Sequence, residues 1–444
     1  MERNALRARL RACKALVVAV VAAVLLIGTA GGALASSPGD PDTTFGGGDG
    51  RATVEFDNPA LIPAFGRVIA MQGAKPIVAG TVGLAPGSDI GVVRLGTTGG
   101  LDTSFGVQGK FVLDVSGAGS LDETAAVAVL PSNKILVAGD TSTVQGRRLV
   151  VLRLTSDGKL DHTFGGGDGI VMTSFGTGSS FGHAMAVMGD GRFLVCGDFQ
   201  GQSHPMAVAR YQANGSPDTT FHTNGRETIQ FPQASDSTCD AIALQGTKIV
   251  LAGQTSTNGF DTSIAAARLQ SNGKLDTTFG SKGRVKFNFH SGVDNATGVV
   301  SLAGNKVLLC GESHDSSTSA SFVVVMRLTS AGKKDPTFGG GDGTVLDDLD
   351  ASSPTQAAGK ALSVQTDGKI VVAGTFGTNM FVARYKAGGT RDSGFGTNGI
   401  QDDTWPDGPG EGTADVIDGN GKILAAGDVG GTSHQLFAVE RLLS

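Results

Sequence analysis

The chain has 444 residues, of which 40% are apolar and 6% aromatic, with 69 glycines and a formal charge of −6. No basic run exceeds Arg147-Arg148, and tracking phosphates needs clustered Lys and Arg, so no nucleic-acid partner is expected. The glycines follow no triplet period and sit beside β-type runs such as Lys134-Ile-Leu-Val-Ala-Gly139, which predicts many short strands joined by tight turns.

Residues 1–35 stand apart. Arg3, Arg7, Arg9, Arg11 and Lys14 form a basic flank, Ala15 to Ile27 is an uninterrupted apolar run, and Ala33-Leu34-Ala35 offers small residues for cleavage. This is the pattern of a secretory signal peptide. The competing reading is an uncleaved anchor, because the apolar stretch is about long enough to span a bilayer. Cleavage would remove five basic residues and one acid, leaving a chain of about −10 that is secreted or held at the cell envelope, with no membrane span. Cys196, Cys239 and Cys310 would remain, an odd count that permits one disulfide and a free thiol. Cys196 and Cys310, however, occupy a column that is Ala in the other five repeats, and are read as small buried apolar residues.

From residue 42 onward one phrase recurs, Asp-x-x-Phe: Asp42–Phe45, Asp102–Phe105, Asp161–Phe164, Asp218–Phe221, Asp276–Phe279, Asp335–Phe338 and Asp392–Phe395. The Phe spacings are 60, 59, 57, 58, 59 and 57 residues, a period that marks a propeller or an array. Four strand-like runs recur within each period. The first is rich in small residues (Ala126-Val-Ala-Val129, Ala184-Met-Ala-Val187). The second ends in Gly, at Gly80, Gly139, Gly197, Gly253, Gly311, Gly374 and Gly427. The third carries Arg94, Arg153, Arg210, Arg268, Arg327, Arg384 or Arg441. After Asp-x-x-Phe and a glycine turn comes the fourth, such as Gly109-Lys-Phe-Val-Leu-Asp114. Asp190-Gly191, Asp367-Gly368 and Asn420-Gly421 between the first and second runs are hairpin signals.

Four antiparallel strands repeated radially describe an all-β, seven-bladed β-propeller of four-stranded blades over residues 36–444. The small-residue run belongs innermost, where strands converge, with Ala70, Ala128, Ala186, Ala243, Ser301, Ser363 and Val416 in its central column. The chain finishes on a third strand, Leu436–Leu442, and starts with an outer one, Arg51–Phe56. The first segment is therefore expected to complete the last blade, closing the ring of a monomer. Lys159-Leu-Asp-His-Thr-Phe-Gly165 and Asp367-Gly-Lys-Ile-Val-Val-Ala-Gly374 resemble delta-60 repeats, and the resemblance covers nearly all of residues 42–442. It implies a large, typically exported bacterial propeller. That family brings no established reaction, so it assigns no catalytic residue.

A charge present in every blade is structural: the Asp suits an Asx-turn, and the Arg a bond to that Asp or to a neighbouring blade's carbonyl. Gly46-Gly-Gly-Asp-Gly50 and its copies at 165–169 and 339–343 are turns; one Asp per loop is too few oxygens for calcium, and no metal or cofactor is expected. Neither a nucleophile elbow nor a phosphate loop occurs. The lone Trp405 argues against quinone-dependent propeller dehydrogenases. The column just before the small-residue run differs from blade to blade, reading Arg67, Ala125, His183, Asp240, Gly298, Lys360 and Thr413. It should rim the central channel, which makes Arg67, His183, Asp240 and Lys360 the ligand-binding candidates. The expected function is a binding module for a protein or glycan. The alternative is a hydrolase or lyase at the channel mouth.

Overall fold

Alternating apolar residues bounded by Gly, Asn and Asp give each repeat four short strands. A computed structural model describes residues 36–56, 63–84, 87–117, 119–349, 356–431 and 434–444; the expected signal peptide lies outside them. In the first blade Ala64–Gln72, Lys75–Leu84, Gly87–Arg94 and Lys110–Leu113 pair in that order as an antiparallel meander. Seven such sheets follow one another, with inner strands beginning at Ala64, Asp122, Ala184, Asp236, Gly292, Ala357 and Gly410. The ring closes as expected: Arg51–Val54 pairs with His434–Leu442, from Arg51 opposite Glu440 to Val54 opposite Phe437. The hydrophobic core is divided between adjacent blades. Phe45, Val54 and Phe56, for example, pack with Val78 and Val93 of the first blade and Leu424 and Phe437 of the last.

The repeated Asp, Arg and Phe form one inter-blade fastening. Arg153 donates to Asp161 at 2.6 Å, its guanidinium lies 4.7 Å from the Phe164 ring centroid, and its other arm reaches Ala213 O of the next blade. Asp161 also accepts from the Thr163 amide at 3.1 Å and Lys134 Nζ at 2.7 Å. Burial alone would raise its carboxyl, but these bonds hold it well below the usual carboxylate range. Arg441, Asp42 and Phe45 repeat the arrangement across the ring closure, with Arg441 donating to Asp42 at 2.7 Å.

A second repeated feature shapes the channel. Six inner strands carry a β-bulge, at Arg67, Ala125, Asp240, Thr297, Lys360 and Thr413. In the third blade the strand is broken at the same level, between Ser179–Ser180 and Ala184–Val187, leaving His183 to donate its amide to Cys196 O at 2.7 Å. Opposite each irregularity stands the glycine that ends the second run. A Cβ on Gly253 would lie 2.1 Å from Thr238 O, and one on Gly427 1.8 Å from Glu411 O. Glycine recurs there because the bulged backbone fills the space of a side chain.

The fifth blade corrects the expected register by one residue. Its first hairpin pairs Leu302 with Lys306 across three residues, where the fourth blade pairs Gln245 with Lys248 across two. Thr297, not Gly298, therefore holds the bulge, and Val300, not Ser301, holds the small-residue column.

Candidate functional site at the channel mouth

A bulge re-aims the side chain it carries, and here the six bulges and the break in the third blade converge. All seven inner strands line one axial pocket of about 480 Å³, which contains Arg67, His183, Asp240, Thr297, Lys360 and Thr413. The four residues singled out by sequence thus share one pocket, though not one contact. His183 and Asp240 touch: Nδ1 lies 3.0 Å from Asp240 Oδ1, and Nε2 lies 3.4 Å from Asp198 Oδ1. The Thr238 hydroxyl donates to the other Asp240 oxygen at 2.9 Å. Lys360 instead pairs with Glu312 at 3.1 Å, and the Arg67 guanidinium lies 5.4 Å from the Phe65 ring centroid.

Burial by itself would lower the His183 pKa. The hydrogen bond to Asp240 and the charges of Asp240, Asp198 and Asp140 outweigh it and raise His183 to about 9. At neutral pH the mouth therefore presents an imidazolium held between carboxylates. Such a group donates protons and does not accept them.

Sequence reading missed the second ring of polar groups. The residue after each glycine of the second strand is polar in every blade: Thr81, Asp140, Asp198, Gln254, Glu312, Thr375 and Asp428. That regularity was the available signal. Burial pushes Asp140 up to about 7 against the opposing charge of Arg147, and Asp428 up to about 7 against that of Arg67. Asp198 is also raised by burial. Deeper in the channel, the level formed by Ile69, Val127, Met185, Ile242, Val299 and Leu362 is completed in the last blade by Asp415, which also lines the pocket.

The cysteine reading needs correction. Cys196 and Cys239 form a disulfide joining the second strand of the third blade to the inner strand of the fourth, and Cys310 is the buried free thiol. Position in a repeat does not report which column of the next blade lies opposite, so the pairing was hidden. The bond adjoins the site, since Cys239 precedes Asp240 and Cys196 accepts the His183 amide. Among the described residues, one carboxylate group has the spacing to hold a metal: Asp89, Asp114 and Asp122, away from the glycine loops. Asp122 already accepts from the Val115 amide and the Thr141 hydroxyl, leaving a poor donor set for calcium.

Fold and pocket together define a seven-bladed β-propeller with a polar axial site. The family model described as Domain of unknown function (DUF5122) beta-propeller matches residues 130–164, 189–221, 248–279 and 365–395, which supports an uncharacterised β-propeller family. Curated proteins give no match. Among solved structures, the chain is similar to a catalytically inactive virginiamycin B lyase from Staphylococcus aureus with quinupristin. The TM-score is 0.45 at 10% identity, covering 88% of this chain and 98% of that one. Drosophila Plexin A in complex with Semaphorin 1b gives a TM-score of 0.44 at 10% identity, covering 88% and 86%. At these levels the likeness concerns fold alone and transfers no activity.

Proposed function

We propose that the protein is an exported, monomeric propeller that binds a protein or glycan at the cell envelope or outside the cell, through its channel mouth. The observation that carries this reading is the axial pocket. Every blade supplies the same position, bulged in six and interrupted in the third, yet the side chains there differ in charge and shape. A ring that served only as a scaffold would need no such asymmetry, and convergent polar groups in a concavity are what ligand sites use. Export is supported by the leader pattern of residues 1–35 and by the Cys196–Cys239 disulfide, since structural disulfides persist in oxidising compartments.

The test is a pull-down of the producing cell's envelope and secreted fractions on immobilised protein, beside a variant with Ala at Arg67, His183, Asp240 and Lys360 that melts like the parent. Specific retention lost in the variant supports the mouth as the binding face. Retention unchanged moves the face elsewhere, and no retention sinks the binding reading.

A second reading, a hydrolase or lyase, is favoured by one observation, the 3.0 Å contact between His183 and Asp240. A charged imidazole in that position suits a general acid. His183→Gln would then abolish turnover in a folded protein.

A further inference from the structure

We propose that the axial pocket takes a ligand through a primary ammonium group, seated on Asp415; this rests on the channel-mouth reading above and names the chemistry it recognises. In six blades the Asp415 level is apolar, and only the last blade places a carboxylate at that level. Neither Asp415 oxygen meets a partner in full hydrogen-bond geometry among the described residues, and both are shielded from solvent. Ser363 is the polar neighbour that eases the burial, which still pushes the carboxyl up to about 7. A buried carboxylate with one hydroxyl beside it and no cation is costly, so its presence in a wall otherwise suited to Leu or Val calls for a positive charge that the chain does not supply.

Other acceptors on the inner and second strands, outside the pocket lining, share this shortage. Among the described residues, Asp428 Oδ1, Gln254 Oε1 and Asn295 Oδ1 are buried acceptors that meet no donor. The chain's own cations are engaged elsewhere than at Asp415: Lys360 is bound to Glu312, His183 is flanked by Asp240 and Asp198, and the Arg67 charge acts on Asp428. What is missing at the Asp415 level is a positive charge. An ammonium brings three donors and a positive charge. A pocket of about 480 Å³ lies within the range of small-ligand sites and suits one sugar ring or one lysine-like side chain. The aliphatic residues beside Asp415 would cover the ring or methylene stem, leaving the ammonium to the carboxylate.

Two sources share this chemistry, an amino sugar and a lysine-type side chain. Calorimetric titration at pH 7 with a β-1,4-linked glucosamine trimer and with trilysine separates them, with the fully N-acetylated form of each as control. At least one amine probe should bind, and its acetylated form should bind at least about tenfold more weakly, a factor worth about 1.4 kcal/mol. Asp415→Asn should weaken binding about as much. Asp415→Leu, which restores the apolar level of the other six blades, should abolish binding without lowering the melting temperature. Equal binding of free and acetylated probes, unchanged affinity in either variant, or no binding of either amine probe overturns the inference. An envelope partner retained equally by the parent and by Asp415→Leu would sink the ammonium assignment and leave the channel-mouth reading standing.

Discussion

Breaking the Cys196–Cys239 bond should cost measurable stability and loosen the site beside it. The two cysteines are 43 residues apart, and a loop of that length corresponds to about 4 kcal/mol of unfolded-state entropy. The compact unit runs from Pro38 to Ser444, roughly 400 residues, and unfolding entropy of about 2.1 cal/mol/K per residue converts 4 kcal/mol into about 5 °C of melting temperature. The suitable variant is the double substitution Cys196→Ala and Cys239→Ala, because the Cys196 column already holds Ala79, Ala138, Ala252, Ala373 and Ala426, all buried. Calorimetric melts of the oxidised parent, the parent under reductant and the double variant make the comparison. The last two should melt together, about 5 °C below the first. Because Cys239 adjoins Asp240 and Cys196 O anchors the His183 amide, the His183 titration midpoint should also fall in the variant as its contact with Asp240 loosens. Equal melting temperatures in all three samples would refute the inter-blade bond and its bearing on the site.

Four further outcomes follow from the geometry. His183, raised to about 9, contributes stability that is fully present below its unfolded value of about 6.5 and is lost as pH rises through 9. An imidazole NMR titration should find that midpoint, and His183→Gln should flatten the stability profile between those limits. Gly253→Ala should destabilise by about 3 kcal/mol, because the new Cβ meets Thr238 O at 2.1 Å; denaturant titration measures it. Asp161→Asn should cost about 3–5 kcal/mol by leaving the Arg153 and Lys134 charges unpaired. The depressed carboxyls of Asp42, Asp102, Asp161, Asp276 and Asp335 lend stability that is present above their unfolded value of about 3.9. That stability is lost as pH falls toward their folded values, so circular dichroism should record cooperative acid unfolding below about pH 4.

The architecture was legible because each blade repeats one set of local signals. Asp-x-x-Phe fixes a turn and a buried ring, and the glycine-ended second strand fixes the hairpin partner of the inner one. Ring closure could be read from the missing fourth strand after Leu442. The candidate site was half legible. Arg67, His183, Asp240 and Lys360 stood out because their column varies where the others repeat. Thr297 was missed because a hairpin one residue longer moves a bulge without leaving a mark in composition. Asp198 and Asp428 could have been read from the polar residue that follows each second-strand glycine. The disulfide and the isolated Asp415, by contrast, depend on what faces them across the channel or from the next blade. Spacing within a repeat carries no information on that.

Hydrogen–deuterium exchange of the protein with and without its retained envelope partner tests the channel-mouth site most directly. Protection should fall on the inner strands at residues 67–69, 183–185, 240–242, 360–362 and 413–415, which line the pocket from several blades at once. Protection confined to the outer face, such as the groove past Val107, Phe111 and Val112, with the inner strands unchanged, would contradict it.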